Sequence, residues 1–82
     1  MLPKIIFAKA LPEQVLEIKF QDGVLKHFSV VPYLKYTVYK PLQNQSFFET
    51  VAVKYDTVVW GKDEEIDFDP YTVYSEGKIL HL

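Results

Sequence analysis

The sequence predicts a small α+β fold: a three-stranded antiparallel meander, a short helix, a second β-hairpin and a short C-terminal helix. Three observations carry this. Aromatic and β-branched residues fill 32 of the 82 positions against 11 for Ala and Leu, a balance that favours strands. Apolar and polar residues alternate with period two through Leu16, Glu17, Ile18, Lys19 and Phe20. Helix-start chemistry stands at only two places, near Asn44 and at Asp69-Pro70.

The first strand is expected over Lys4 to Ala10, with Ile5 and Phe7 on one face and Ile6 and Ala8 on the other. Pro12 interrupts it, because its nitrogen has no hydrogen to give a ladder. The second strand runs from Gln14 to Phe20, with Leu16, Ile18 and Phe20 inward. Gln21-Asp22-Gly23 closes a hairpin, since a type I′ turn needs positive φ at both central residues and Asp-Gly tolerates it. Val24 to Val31 returns as the third strand, with Phe28 and Val30 inward.

Lys35 to Leu42 shows neither a strand nor a helix period and is read as a turn and loop. Asn44 to Glu49 forms one or two helical turns, capped either by Asn44 or by a Ser46/Glu49 capping box. A hairpin then pairs Thr50–Tyr55 with Thr57–Trp60, turning near Asp56. Gly61 to Glu65 is a charged loop, Asp69 caps the final helix, and Gly77 ends it. The whole chain, 1–82, reads as one domain without repeat or linker. Phe7, Phe20, Phe28, Phe47 and Phe48 are its expected core aromatics.

Composition narrows function. With no Cys, neither a disulfide scaffold nor a Cys-based zinc or redox site can form. No uncharged run exceeds eight residues, so no membrane-spanning helix is expected. Lys4 and Lys9 break any signal-peptide core, and a cytoplasmic protein is expected. The net charge of −2 and the absence of Arg disfavour nucleic acid as a partner, since Arg makes the bidentate phosphate and guanine contacts.

No catalytic constellation stands out. Ser29, Ser46 and Ser75 lack a nucleophile-elbow context, and the three glycines are isolated from one another. His27 and His81 have no partner at a telling spacing. The acidic cluster Asp63, Glu64, Glu65, Asp67 and Asp69 could offer oxygens to a divalent cation but lacks the EF-hand spacing; a solvated loop entering a helix cap accounts for it. No metal and no cofactor is therefore expected. Lys26, Lys35, Lys40 and Lys54 interleave with aromatics, a pattern that suits single strands on a sheet or, more simply, lysines snorkelling from a core face. Tyr36, Tyr39 and Trp60 are the candidate partner-binding residues. Tyr36 and Tyr39 lie in the aperiodic segment, and exposed Tyr and Trp are enriched at interfaces.

The order and spacing of several strings resemble a known family. They are Leu2-Pro3-Lys4-Ile5, Leu11-Pro12, Phe20-x-Asp22-Gly23, Phe28-x-Val30-x-Pro32-Tyr33-Leu34, Phe47-Phe48-x-x-Val51-x-Val53, Thr57-Val58-Val59-Trp60 and Asp67-Phe68-Asp69-Pro70-x-x-x-Tyr74. Together they look like the small bacterial Domain of Unknown Function 2442 family. Ser29 stands where that family usually has Asp, and Gly61-Lys62-Asp63-Glu64-Glu65 replaces its usual Trp-Pro-Asn-Gly. The resemblance implies a compact α+β domain without an accepted catalytic motif, often encoded beside another small protein as a two-gene, toxin–antitoxin-like pair. The expected function is a non-enzymatic protein-binding module, antitoxin-like, with a small protein encoded nearby as partner. A homodimer through a sheet edge is a further expectation. The alternatives are a nucleic-acid-binding accessory domain and a metal-dependent enzyme using the acidic loop.

Overall fold

The structure, a computed structural model, describes residues 3–80. Leu2 of the first family string and His81 lie outside the described residues. The fold is α+β, as the sequence implies, but its strands divide between two antiparallel sheets. β1 (Ile5–Leu11), β2 (Val15–Phe20), β3 (Leu25–Ser29) and β7 (Lys78–Ile79) form the first in that spatial order. β4 (Ala52–Lys54), β5 (Thr57–Trp60) and β6 (Ile66–Asp67) form the second. Helices α1 (Gln45–Phe48) and α2 (Pro70–Glu76) are short.

The meander is as expected, with β2 pairing on both sides and Leu16, Ile18 and Phe20 fully buried. Two of its details differ from expectation. The β1–β2 register shifts between Ile5 and Phe7, a bulge that places Ile6 as the extra residue. Ile5 stays inside and Ala8 and Ala10 pack on the core, but Phe7 is turned outward and is 46% exposed. Phe7 is therefore not a core residue: one inserted residue exchanges the faces downstream of it. The Asp22-Gly23 turn also differs from type I′, because Gly23 alone there has positive φ. Phe20 and Val24 close a three-residue loop, with Gly23 N–H donating to Phe20 O, the geometry of a type I turn followed by a glycine bulge. The two-residue turn with positive φ at both positions is instead Tyr55-Asp56, between paired Lys54 and Thr57.

The helix caps follow sequence chemistry. The Asn44 side chain accepts from Phe47 N–H, so Asn44, not the Ser46/Glu49 box, caps α1. Asp69 caps α2 ahead of Pro70. Gly77 ends α2, though not in the left-handed conformation: its φ is −66°. It is needed for closeness, since a Cβ there would sit 2.7 Å from Val73 O and 3.1 Å from Lys26 Cβ.

One core joins both sheets and both helices. Its buried members include Leu16, Ile18, Phe20 and Phe28 from the first sheet, Val58, Trp60 and Ile66 from the second, and Phe48, Phe68 and Val73. All four residues of β5 are buried, as suits a strand covered on both faces. Lys26 is buried as well. Its Nζ donates to Tyr74 O near the C-terminus of α2 and lies 3.9 Å from the centre of the Tyr74 ring. A cation there complements the helix dipole and the ring face together. Tyr74 Oη also donates to Asp22, which ties α2 to the β2–β3 turn.

Candidate functional site

The segment that shows no strand or α-helix period has a period of its own. Tyr33, Tyr36, Tyr39 and Leu42 recur every third residue. Two 3-10 segments, Val31–Tyr33 and Thr37–Gln43, occupy this stretch, so the expected loop is helical. A 3-10 helix has three residues per turn, so side chains three apart eclipse one another. Tyr36 N–H donates to Tyr33 O and Tyr39 N–H to Tyr36 O, both at 3.0 Å, so Tyr36, whose own backbone is extended (ψ 135°), closes one turn and opens the next.

The tyrosines are held to different degrees. Tyr39 stacks on Phe68 with ring centres 4.5 Å apart, and its hydroxyl donates to Asp67 O. Tyr33 meets Phe68 edge-on at 5.2 Å, and its hydroxyl donates to the Glu76 carboxylate. Both are half-buried. Tyr36 leans on Tyr33 at 6.4 Å and is 51% exposed, with Lys35 Nζ 5.3 Å from its ring centre. Val31 and Val38, on either side of it in sequence, are also more than half exposed. Of the three candidates, Tyr36 is on the surface and Tyr39 is its half-buried support. Trp60 is in the core at 1% exposure, with its indole N–H donated to Phe48 O at 2.8 Å.

Burial, the hydrogen bond to Glu76 and the charge of that carboxylate push the Tyr33 phenol from its ordinary 10.0 to about 12. Burial and the charge of Asp67 raise Tyr39 in the same direction. A raised phenol pKa means that the fold favours the protonated form. Its contribution to stability is complete below the unfolded value of 10.0 and is lost as pH rises through about 12. The melting temperature is expected to fall across that window, and to fall less steeply in Tyr33→Phe. Equal slopes in thermal melts of the two proteins would show that Tyr33 does not carry the effect.

The other candidates do not converge. Glu64 accepts from Tyr55 Oη and lies 3.6 Å from Lys54 Nζ; Asp69 caps α2, while Asp63, Glu65 and Asp67 are exposed. Among the described residues no group of three or more His, Asp or Glu is placed to hold a metal ion. His27 meets Glu17 at 3.2 Å rather than Asp67 or Asp69. It borders a cleft of about 460 Å³ with Val15, Ser29, Pro32, Glu76 and Lys78. The four lysines interleaved with aromatics do not share one element: Lys26 is buried under α2, Lys54 is on the second sheet, Lys35 lies between the two 3-10 segments and Lys40 within the second. No helix among the described residues is long and apolar enough to cross a membrane. No family model, no curated protein and no solved structure matches this chain.

Proposed function

We propose that this chain is a non-enzymatic protein-binding module whose contact surface centres on Tyr36, and that its partner is another small cytoplasmic protein encoded beside it. The observation that carries the reading is the unequal anchoring of the tyrosine row. Tyr33 and Tyr39 are fixed on Phe68 and tied to α2 and β6, while Tyr36 is 51% exposed and Val31 and Val38, near it in sequence, are exposed as well. An aromatic held on a rigid base loses little freedom on binding, which is the property of an interface anchor.

Charge defines the partner's side. From Val24 to Phe48 the chain has no carboxylate side chain, Lys35 and Lys40 flank Tyr36 in sequence, and the Glu76 carboxylate that reaches this surface is taken up by the Tyr33 hydroxyl. The complementary patch is therefore apolar at its centre with carboxylates at its rim. The resemblance to a family encoded in two-gene pairs supports a small neighbouring protein in that role, with this chain as the antitoxin-like member.

Co-expression with the neighbouring gene product is expected to give a complex that survives size exclusion. Tyr36→Ala should weaken it by about thirty-fold or more, as for a central anchor. Its melting temperature should stay near wild type, because half of Tyr36 is already in water. No complex, or one indifferent to Tyr36→Ala and Val38→Asp, would overturn the reading.

A further inference from the structure

We propose that the open face of the first sheet binds single-stranded nucleic acid, with Phe7 as the stacking platform and Lys9, Lys19 and Lys78 as the phosphate contacts. The inference stands apart from the Tyr36 surface and uses none of its residues.

The bulge at Ile6 is the first observation. A regular strand that buries Ile5 would bury Phe7 too; the inserted residue turns Phe7 to the outside instead. In a domain this small, an aromatic directed away from the core forgoes burial that the fold could use. Bulges re-aim side chains in this way beside functional sites.

The second observation is what surrounds Phe7. It is paired with Lys19, and Lys19 with Leu25. The next row crosses all four strands in register as Lys9, Glu17, His27 and Lys78. None of these outward residues is buried, so no helix or strand among the described residues covers the face. Its charges are three lysines against Glu17, and Glu17 is engaged by His27 at 3.2 Å. A chain of net charge −2 thus carries a positive sheet face, because most of its carboxylates lie between Glu49 and Glu76. The row leads into the cleft of about 460 Å³ that His27 and Lys78 line together with Phe28 and Glu76, whose carboxylate is held by the Tyr33 hydroxyl; its size would take a base.

The chemistry selects the ligand. An open sheet face with an exposed ring suits unstacked bases, since every base has a face to stack, and lysines serve the phosphates as point charges. Without Arg there is no bidentate reader of base edges, so binding is expected to be insensitive to sequence. Duplex DNA keeps its bases stacked and offers Phe7 nothing.

The test is fluorescence anisotropy of a labelled oligo-dT strand of about 15 nucleotides against the purified protein at low salt. Binding is expected, weakening with salt at a log–log slope of about −2, as three phosphate contacts on a single strand give. Phe7→Leu should weaken it by about five-fold or more while Phe7→Trp retains it, which separates stacking from bulk. Lys19→Glu should remove it with an unchanged melting temperature, and Tyr36→Ala should leave it intact. Failure to bind at low salt would overturn the proposal. So would equal binding of duplex together with a silent Phe7→Leu, or Phe7 and Lys19 variants that abolish only the complex with the neighbouring protein.

Discussion

Replacing Phe68 by alanine is expected to lower the free energy of unfolding by about 3–5 kcal/mol. Phe68 is 2% exposed, and its ring meets four others: Phe28 at 5.2 Å, Tyr33 at 5.2 Å, Tyr39 at 4.5 Å and Trp60 at 5.9 Å. Each such pair contributes beyond simple burial, roughly 0.5–1.5 kcal/mol. The surroundings cannot collapse easily into the vacated space. Tyr39 and Tyr33 are tied by their hydroxyls to Asp67 O and Glu76, and Trp60 to Phe48 O. A domain of this length has roughly 4–12 kcal/mol in total, so the variant should be largely unfolded at a modest concentration of urea. Urea melts followed by the fluorescence of Trp60, the only tryptophan, would measure it directly. A loss below about 1 kcal/mol would mean that the aromatic cluster repacks freely, and the rigid base attributed to Tyr36 would go with it. The variant also links core to surface: at temperatures where it remains folded, Tyr36 should bind less well, because its supports have lost their own floor.

How far the sequence revealed the fold depends on how many residues share a signal. β2 is legible because five consecutive residues, Leu16 to Phe20, alternate and both neighbours pair with it. Asn44 and Asp69-Pro70 are legible because capping is local chemistry. The division into two sheets is not legible, since alternation says which face a residue takes but not which strand lies beside it. β6 and β7 have two residues each, too few for any period, and exist through pairing with β5 and β3. The Ile6 bulge leaves no mark either, as Ile, Ile and Phe are equally apolar on both sides of the slip. In the Tyr55-Asp56 turn only Asp56 is a residue that takes positive φ readily; Tyr55 is held there by the pairing of Lys54 with Thr57, which a two-residue loop has to close. The tyrosine row was open to a reading at period three, which neither the strand nor the α-helix test samples. Of the candidate site, then, residue type marked Tyr36 and Tyr39, but the same argument applied to Trp60 could not distinguish an interface tryptophan from a buried one.

Trp60 is where that distinction can be measured. Trp60→Ala is expected to lose about 3–5 kcal/mol of stability, and Trp60→Phe about 1–2. The phenylalanine keeps contact with Phe48 and Phe68 but gives up the indole hydrogen bond and part of the ring. The acceptor it leaves, Phe48 O, still receives Val51 N–H at 3.3 Å, so its desolvation is only partly uncompensated and the smaller figure applies. Since both variants remove the fluorescent reporter, far-ultraviolet circular dichroism would follow the melts. Binding separates core from interface. At a temperature well below its own transition, Trp60→Phe should bind the neighbouring protein as tightly as wild type does, because no atom of a side chain 1% exposed reaches a partner. Tyr36→Ala should show the opposite pair of results, with stability kept and affinity lost. If instead folded Trp60→Phe loses affinity while Tyr36→Ala keeps it, the core around Phe48 and Trp60 must open on binding, and the contact surface would be the second sheet rather than the tyrosine row.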